Sequence, residues 1–218
     1  MDVTESVMTH TGTPFSKLSP NLSSAVTATI FFVLLSVVFT PNVEAAGFGK
    51  YKHHTKYDQH FKKYGKRFFG PAFDWQYFKA QAIAESNLNP EAVSYVGAQG
   101  IMQIMPRTFE EIATKSKLIE GTATEPRWNI AAGVWYNKQN FDFWKKDRTL
   151  QERLKFMYGS YNAGRGNILK AQRKAIDAGL NPRIWQSMHT ALPRVTGKHS
   201  KETLTYVDRI FMIKEEIK

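Results

Sequence analysis

The sequence contains no cysteine. This absence excludes disulfide bonds, thiolate metal sites, a cysteine nucleophile and an anchor that carries lipid on cysteine. The sequence also lacks any run of alternating apolar and polar residues long enough to predict a β-strand, and it has no internal repeat. These absences favour an all-α fold whose chemistry does not depend on thiols.

Long hydrophobic runs are absent as well. Residues 25–39 form an uncharged apolar stretch of 15 residues, which is short for a membrane-spanning helix and typical of a signal-peptide core. Pro41 ends this stretch, and Val43 and Ala45 place small residues where a signal peptidase reads them. We therefore predict that residues 1–45 are a signal peptide. An uncleaved membrane anchor and a buried core helix are the alternatives, because Lys17 is the only cation before the apolar stretch.

Acidic residues are few, at 19 against 30 lysines and arginines, which gives a net charge of +11. Residues 1–45 hold one of the cations and three of the acids, so cleavage after Ala45 would raise the net charge to +13. A basic exported protein requires an anionic partner. Wall polymers with peptide carboxylates, anionic lipid head groups and nucleic acid all fit this description.

The segment 46–71 combines this positive charge with aromatic residues. Its cations are Lys50, Lys52, Lys56, Lys62, Lys63, Lys66 and Arg67. Basic residues among aromatics can bind nucleic acid, but we predict a solvated basic arm or linker that packs a few aromatics on the domain. His53, His54 and His60 lack the nearby carboxylates or thiolates that would complete a metal site. We expect neither a metal nor a cofactor.

Residues 72–218 carry helix signals throughout and are predicted to form one globular all-α domain. Asp74, Asn129 and Thr149 can cap helices, and Thr149 with Glu152 has the spacing of a capping box. The predicted helices are 75–86, 106–115, 130–145, 149–162, 167–178, a short one from 181, and 200–217. On the last of these, Leu204, Val207, Phe211 and Met212 form the expected apolar stripe.

Glu85 is an unexpected residue on its helix. It shares a face with Phe78 and Ala82, at i, i+4 and i+7, and that face is apolar. It also lies in the last helical turn, where the helix dipole disfavours negative charge. Both effects raise the pKa of a carboxyl, as a general acid near neutral pH requires. The alternative is an ordinary Glu that points to solvent.

The segment 94–106 packs two glycines, two methionines and two glutamines into one turn, and its sequence from Gly97 is GAQGIMQIMP. Together with Glu85 and Ser86, it closely resembles the SLT-type lytic transglycosylases, peptidoglycan lyases related to goose-type lysozymes. The hallmark of that family is an E-S pair followed by G-A-x-G-[LI]-M-Q-x-M-P. Further blocks resemble the family in the same order: N-I-x-x-G at 129–133, S-Y-N-A-G at 160–164 and E-T-x-x-Y-V at 202–207. The resemblance covers residues 75–212, and residues 1–70 have no counterpart in it.

This resemblance implies a lysozyme-like fold and a role for each matched residue. Glu85 matches the catalytic acid and base, and Ser86 and Ser94 match polar residues that orient it or the sugar. The expected lining of the sugar cleft is Gln103, Met105, Tyr161, Asn162 and Tyr206. The alternatives are a core position for Met105 and for Tyr206, and a helix C-cap for Asn162.

The implied reaction cleaves the β-1,4 bond between N-acetylmuramic acid and N-acetylglucosamine and leaves a 1,6-anhydromuramic end. One carboxyl can serve both steps of this reaction by cycling its proton, whereas ordinary glycosidases use two.

The role of Glu202 stays open. The alternatives are a lysozyme-type hydrolase, a non-catalytic glycan-binding component of an envelope apparatus, and a nucleic-acid binder, which the signal-like N-terminus disfavours. We expect peptidoglycan as the partner of the domain and anionic wall polymers as partners of the basic arm. We expect no nucleic acid, and membrane contact only if the N-terminus is uncleaved. The expected location is the periplasm or cell envelope.

Overall fold

The computed structural model describes residues 47–218, so the predicted signal peptide at 1–45 lies outside the described residues. This part of the chain is helical, with isolated β-bridges but no named strand. A 3-10 helix at Phe48–His53 precedes α1 (Asp58–Phe69), α2 (Gln76–Ser86), α3 (Pro106–Lys115), α4 (Pro126–Phe143), α5 (Leu150–Ala163), α6 (Arg165–Asp177), α7 (Gln186–Ala191), α8 (Pro193–Thr196) and α9 (Ser200–Glu216). Among residues 47–218, no helix is both long and apolar enough to cross a membrane.

The segment predicted as a basic arm is instead a folded part of the domain. Tyr57, Phe61 and Tyr64 are buried on one face of α1 because they recur at spacings of four and three, while the lysines between them face solvent. The helix packs against α4 and α2. An ion pair between Lys79 and Asp58, at 2.9 Å and almost fully buried, ties it to α2. Residues 58–69 therefore contribute to the core, and only their cationic face is exposed to solvent, as was expected of the whole arm.

Most of the predicted helix ends agree with the structure, but the start of α4 does not. Thr149 caps α5 as expected, because its hydroxyl accepts a hydrogen bond from the Glu152 amide at 3.3 Å. By contrast, α4 begins at Pro126, and Asn129 lies inside the helix with no exposed surface. Proline suits the first helical position since its missing N–H is not needed there. Asn129 is thus free to make contacts other than a cap.

The C-terminal elements differ from the predictions in two details. The short helix expected from residue 181 begins only at Gln186, after a turn, and a second short helix, α8, follows it. On α9, Val207 is buried as predicted, but Met212 is 50% exposed. Ile210 and Ile213 complete the buried face. This face packs against α2 and α5. A contact between Glu85 and Tyr206 brings the C-terminal end of α2 beside the middle of α9.

Candidate active site

Glu85 lies at the C-terminal end of α2, on a face whose other members, Phe78 and Ala82, have no exposed surface. Glu85 as a whole residue remains partly exposed. The hydroxyl of Tyr206, on α9, donates a hydrogen bond to Glu85 Oε1 at 2.5 Å. The sequence argument for an unusual carboxyl on an apolar face is therefore confirmed, and the structure adds a phenol as its partner.

The surroundings of Glu85 raise its pKa from 4.5 to about 8. Burial is the largest cause, and the nearby carboxyl of Glu202 raises the pKa further. The hydrogen bond from Tyr206 and the positive charge of Arg209 act in the opposite direction. A carboxyl with this pKa is protonated at neutral pH and can donate its proton to a leaving group.

Glu202 is a second perturbed carboxyl near Glu85. It lies on α9 one turn before Tyr206, and burial raises its pKa to about 7, opposed by a hydrogen bond with Asn162. Its Oε1 atom is buried and has no hydrogen-bond partner among residues 47–218. Asn162 is itself held by the Thr203 hydroxyl at 2.6 Å. The acid whose role the sequence left open is therefore part of the site's electrostatics.

The loop between α2 and α3 is held by side chains that the sequence assigned to the site. The Ser94 hydroxyl accepts a hydrogen bond from the Ala98 amide at 2.9 Å. Gln103 has a positive φ of 46°, and its amide donates to the carbonyls of Ala92 and Gly100 at 3.0 and 2.9 Å. Both side chains are buried. In this structure, Ser94 and Gln103 shape the loop from within.

Three further predicted residues connect this loop to the helices around it. The Ser86 hydroxyl donates to the Ile101 carbonyl at 2.9 Å, so it ties the end of α2 to the loop. The buried Tyr161 hydroxyl donates to the Met102 carbonyl at 2.8 Å. Met105 is partly exposed at the N-cap of α3. The structure thus brings the end of α2, the loop, α5 and α9 together around Glu85.

Asn129, which the sequence placed at a helix cap, instead anchors the loop. Its side-chain oxygen accepts from the Met102 amide at 2.7 Å, and its NH2 group donates to the carbonyls of Gln99 and Ala123. Gly100 approaches this amide so closely that a Cβ would lie 2.7 Å from Asn129 Nδ2. Glycine is required there both for space and for its positive φ of 74°.

Sequence reasoning missed two buried amides in the site. Gln81 and Asn137 have no exposed surface and connect α2 and α4 to Tyr206. Gln81 lies four residues before Glu85, so a polar residue one turn away on an apolar helix was a signal that could have indicated it. Asn137 gave no comparable signal, because its contact with Gln81 joins residues 56 apart.

Comparisons with known proteins agree with this arrangement. The transglycosylase SLT domain family matches residues 47–183. Membrane-bound lytic murein transglycosylase F of Desulfosudis oleivorans is 34% identical over 137 residues, covering 62% of this chain and 28% of that protein. The same-named protein of Pseudomonas fluorescens is 31% identical over 145 residues, with 66% and 28% covered.

A solved structure shows the same fold. The 70 kDa soluble lytic transglycosylase SLT70 from Escherichia coli has a TM-score of 0.58 and 26% identity, covering 75% of this chain and 24% of that one. The chain thus spans about a quarter of the length of these relatives. The family match begins at residue 47, so it includes α1, for which the sequence blocks showed no counterpart. The chain belongs to the transglycosylase SLT domain family.

Proposed function

We propose that this protein is a peptidoglycan lytic transglycosylase, with Glu85 as its catalytic acid and base. The observation that carries the proposal is the Glu85 carboxyl, which has a pKa of about 8 and a fixed phenol partner. The relatives named lytic murein transglycosylase support murein as the substrate class.

The reaction needs one carboxyl in two protonation states. Protonated Glu85 donates its proton to the glycosidic oxygen while the bond from that oxygen to C1 of N-acetylmuramic acid breaks. The carboxylate then takes the proton of the 6-hydroxyl on the same sugar, and the 6-oxygen bonds to C1. Glu85 ends protonated, as it began, and water is not consumed. The 6-hydroxyl competes well with water because a group on the same molecule has a high effective concentration.

The remaining predicted residues would support this chemistry from the walls of the site. We propose that Met105, partly exposed, contacts the sugar directly. Ser86, Ser94, Gln103 and Tyr161 would act mainly by holding the loop, since each is engaged with backbone groups of that segment. Asn162 would act through Glu202 and Thr203, which it contacts.

A lysozyme-type hydrolase is the second candidate, and Glu202 is the observation that favours it. Hydrolysis with two carboxylates needs a second acid beside the first, and Glu202 is near enough to Glu85 to raise its pKa. If Glu202 activates a water molecule, the product carries a reducing end rather than a 1,6-anhydro ring.

Digestion of purified murein in heavy-oxygen water distinguishes the candidates. A transglycosylase gives unlabelled products lighter by one water, about 18 mass units, because no water is added. Labelled reducing ends would identify a hydrolase, and Glu202→Gln should then abolish the label. The third candidate is a non-catalytic glycan-binding protein. It would release no cleavage product, so the wild type and Glu85→Gln would give the same result.

We also propose that the protein is exported to the cell envelope, where its substrate lies. The support is the signal-like sequence of residues 1–45 and the membrane-bound relatives. N-terminal sequencing of protein from cell envelopes should find Ala46 as the first residue. Recovery of residues 1–45 in the membrane fraction would indicate an uncleaved anchor instead.

Anionic wall polymers are the proposed partners of the cationic face of α1. Its exposed cations are Lys62, Lys63, Lys66 and Arg67. The buried aromatic face holds α1 in place, so these charges are presented on a rigid surface. A second basic surface lies in a groove of about 610 Å³ between α6 and α8 and provides a matched comparison; its cations are Lys170, Arg173, Lys174 and Arg194.

A further inference from the structure

A chain of hydrogen bonds leads from α4 through α2 and α9 to Glu85. The Asn137 NH2 group donates to Gln81 Oε1 at 2.5 Å, and the Gln81 NH2 group donates to the Tyr206 hydroxyl oxygen at 3.0 Å. Tyr206 in turn donates to Glu85 Oε1 at 2.5 Å. Gln81 and Asn137 are fully buried, so water does not compete for these bonds.

The direction of this chain follows from the donors that each group has. A phenol carries one proton, and because its oxygen accepts from Gln81, that proton is left for Glu85. If both amides were reversed, the Gln81 oxygen would draw the Tyr206 proton away from Glu85. The reversal would also put an NH2 group where the buried Asn137 Oδ1 now lacks a partner among residues 47–218. An unpaired buried N–H is rarer than an under-satisfied oxygen, so the observed direction is favoured.

This direction determines which oxygen of Glu85 meets the substrate. Since Oε1 accepts the Tyr206 proton, the acidic proton of neutral Glu85 sits on Oε2. When that proton leaves, the same bond from Tyr206 stabilises the carboxylate, because hydrogen bonds to ionised groups are the stronger ones. The carboxyl can therefore act as acid and then as base without rotating.

We propose that Gln81 and Asn137 are positioning residues that keep the Tyr206 proton directed at Glu85 Oε1, so that Oε2 is the oxygen that exchanges protons with the substrate. The proposal rests on the proposed function and assigns the two buried amides to the catalytic geometry. If they were only core residues, their replacement would change stability but not the titration of Glu85.

The test replaces the amides with apolar side chains of similar size. Gln81→Met removes the donor to Tyr206, but it leaves the buried NH2 group of Asn137 without its acceptor. The double variant, Gln81→Met with Asn137→Leu, removes both amides and should cost less stability than leaving one buried partner unpaired. We expect kcat on soluble glycan strands to fall about tenfold, the equivalent of one charge-assisted hydrogen bond weakened by about 1.4 kcal/mol. KM should stay within about twofold because neither amide contacts the substrate.

The pH profile and a double-mutant cycle separate positioning from a structural role. A weaker bond from Tyr206 raises the pKa of Glu85, so the alkaline limb of activity should move up by about one pH unit. In a Tyr206→Phe background, Gln81→Met should change neither kcat nor the limb, because the group it acts through is gone. Equal losses in both backgrounds, or an unmoved limb in a folded variant, would overturn the proposal. Gln172→Met is the control. Gln172 lies on α6 and donates a hydrogen bond to the Pro182 carbonyl, so it is not part of the chain that ends at Glu85.

Titration without turnover separates this proposal from the proposed function. The carboxyl signal of Glu85 can be followed by carbon NMR in protein labelled at glutamate, with Glu85→Gln used for assignment. An upward pKa shift in Gln81→Met that vanishes in the Tyr206→Phe background supports the positioning role even if murein is not cleaved. Absence of 1,6-anhydro product from the wild type refutes the proposed function alone.

Discussion

Replacing Glu85 by glutamine should stabilise the protein while it removes activity. The carboxyl ionises near pH 4.5 in an unfolded chain, whereas in the folded protein its pKa is about 8. Between these values the folded state holds one more proton than the unfolded state. The free energy of unfolding therefore falls as pH rises from about 4.5 to about 8, and the penalty is constant above that range. Glutamine keeps the shape, accepts the Tyr206 hydrogen bond and carries no such penalty.

The size of the effect follows from the pKa difference. Each pH unit between the two pKa values is worth about 1.4 kcal/mol, so the full penalty would approach about 5 kcal/mol. Because Glu85 is partly exposed, some hydration of the carboxylate remains, and we expect about 2 to 4 kcal/mol at pH 9. At pH 4 the two proteins should differ little. Lysis of murein by Glu85→Gln should fall at least about a hundredfold, the scale of losing a general acid.

Urea unfolding at pH 4, 7 and 9 tests this expectation, with circular dichroism as the probe and equal m-values as the check on two-state behaviour. Glu110→Gln, at an exposed site on α3, is the control and should not change the pH trend. Two results would refute a buried carboxyl of high pKa. One is a wild type as stable as Glu85→Gln at pH 9, and the other is a difference in free energy of unfolding between the two proteins that does not grow with pH. A folded Glu85→Gln protein with normal lysis would refute its catalytic role.

Three other predictions test the fold and the basic surface. Phe61→Ala should lower the free energy of unfolding by about 3 to 5 kcal/mol, against a much smaller loss for Phe143→Ala, because Phe143 is 44% exposed. Gly159→Ala should be destabilising by more than about 1 kcal/mol in thermal unfolding, because its Cβ would lie 2.1 Å from the Trp185 ring. Gly166→Ala, which meets nothing within 4 Å, should be neutral or slightly stabilising. Glutamine at the four exposed α1 cations should weaken adsorption to wall material at low salt more than the same change in the α6–α8 groove; equal losses would show that net charge alone is responsible.

The sequence indicated the unusual surroundings of Glu85, whereas it described the N-terminal part of the domain less well. Glu85 could be singled out as a candidate because a carboxylate on an apolar helical face is unusual and because the motif around it is specific. In the segment 46–71, the same periodic argument was available, since Tyr57, Phe61 and Tyr64 follow a helical spacing. The density of cations favoured a solvated arm instead. The composition of the segment described the exposed, cationic face of α1, and only the periodicity of its aromatic residues indicated the buried face.

Asn129 shows a different limit of sequence reasoning. Asparagine is favoured both at helix N-caps and wherever a buried side chain must satisfy backbone groups, because it offers donors and an acceptor at short range. Which role applies depends on what packs against it, here the carbonyl of Gln99 in the loop after α2 and the carbonyl of Ala123 just before α4. The chain from Asn137 to Glu85 was unpredictable for the same reason, since its members are far apart along the sequence.

The packing of α1 links stability to the chemistry that we propose for Glu85. Gln81 and Asn137 lie on α2 and α4, and α1 packs against both helices. The buried pair of Lys79 and Asp58 fixes α1 to α2 only two residues from Gln81. A buried ion pair that loses one partner is strongly destabilising because the other charge is left uncompensated. Loss of α1 should therefore disturb the amide chain and reduce cleavage even of short soluble glycans, whereas removal of its exposed charges should affect only adsorption to the wall.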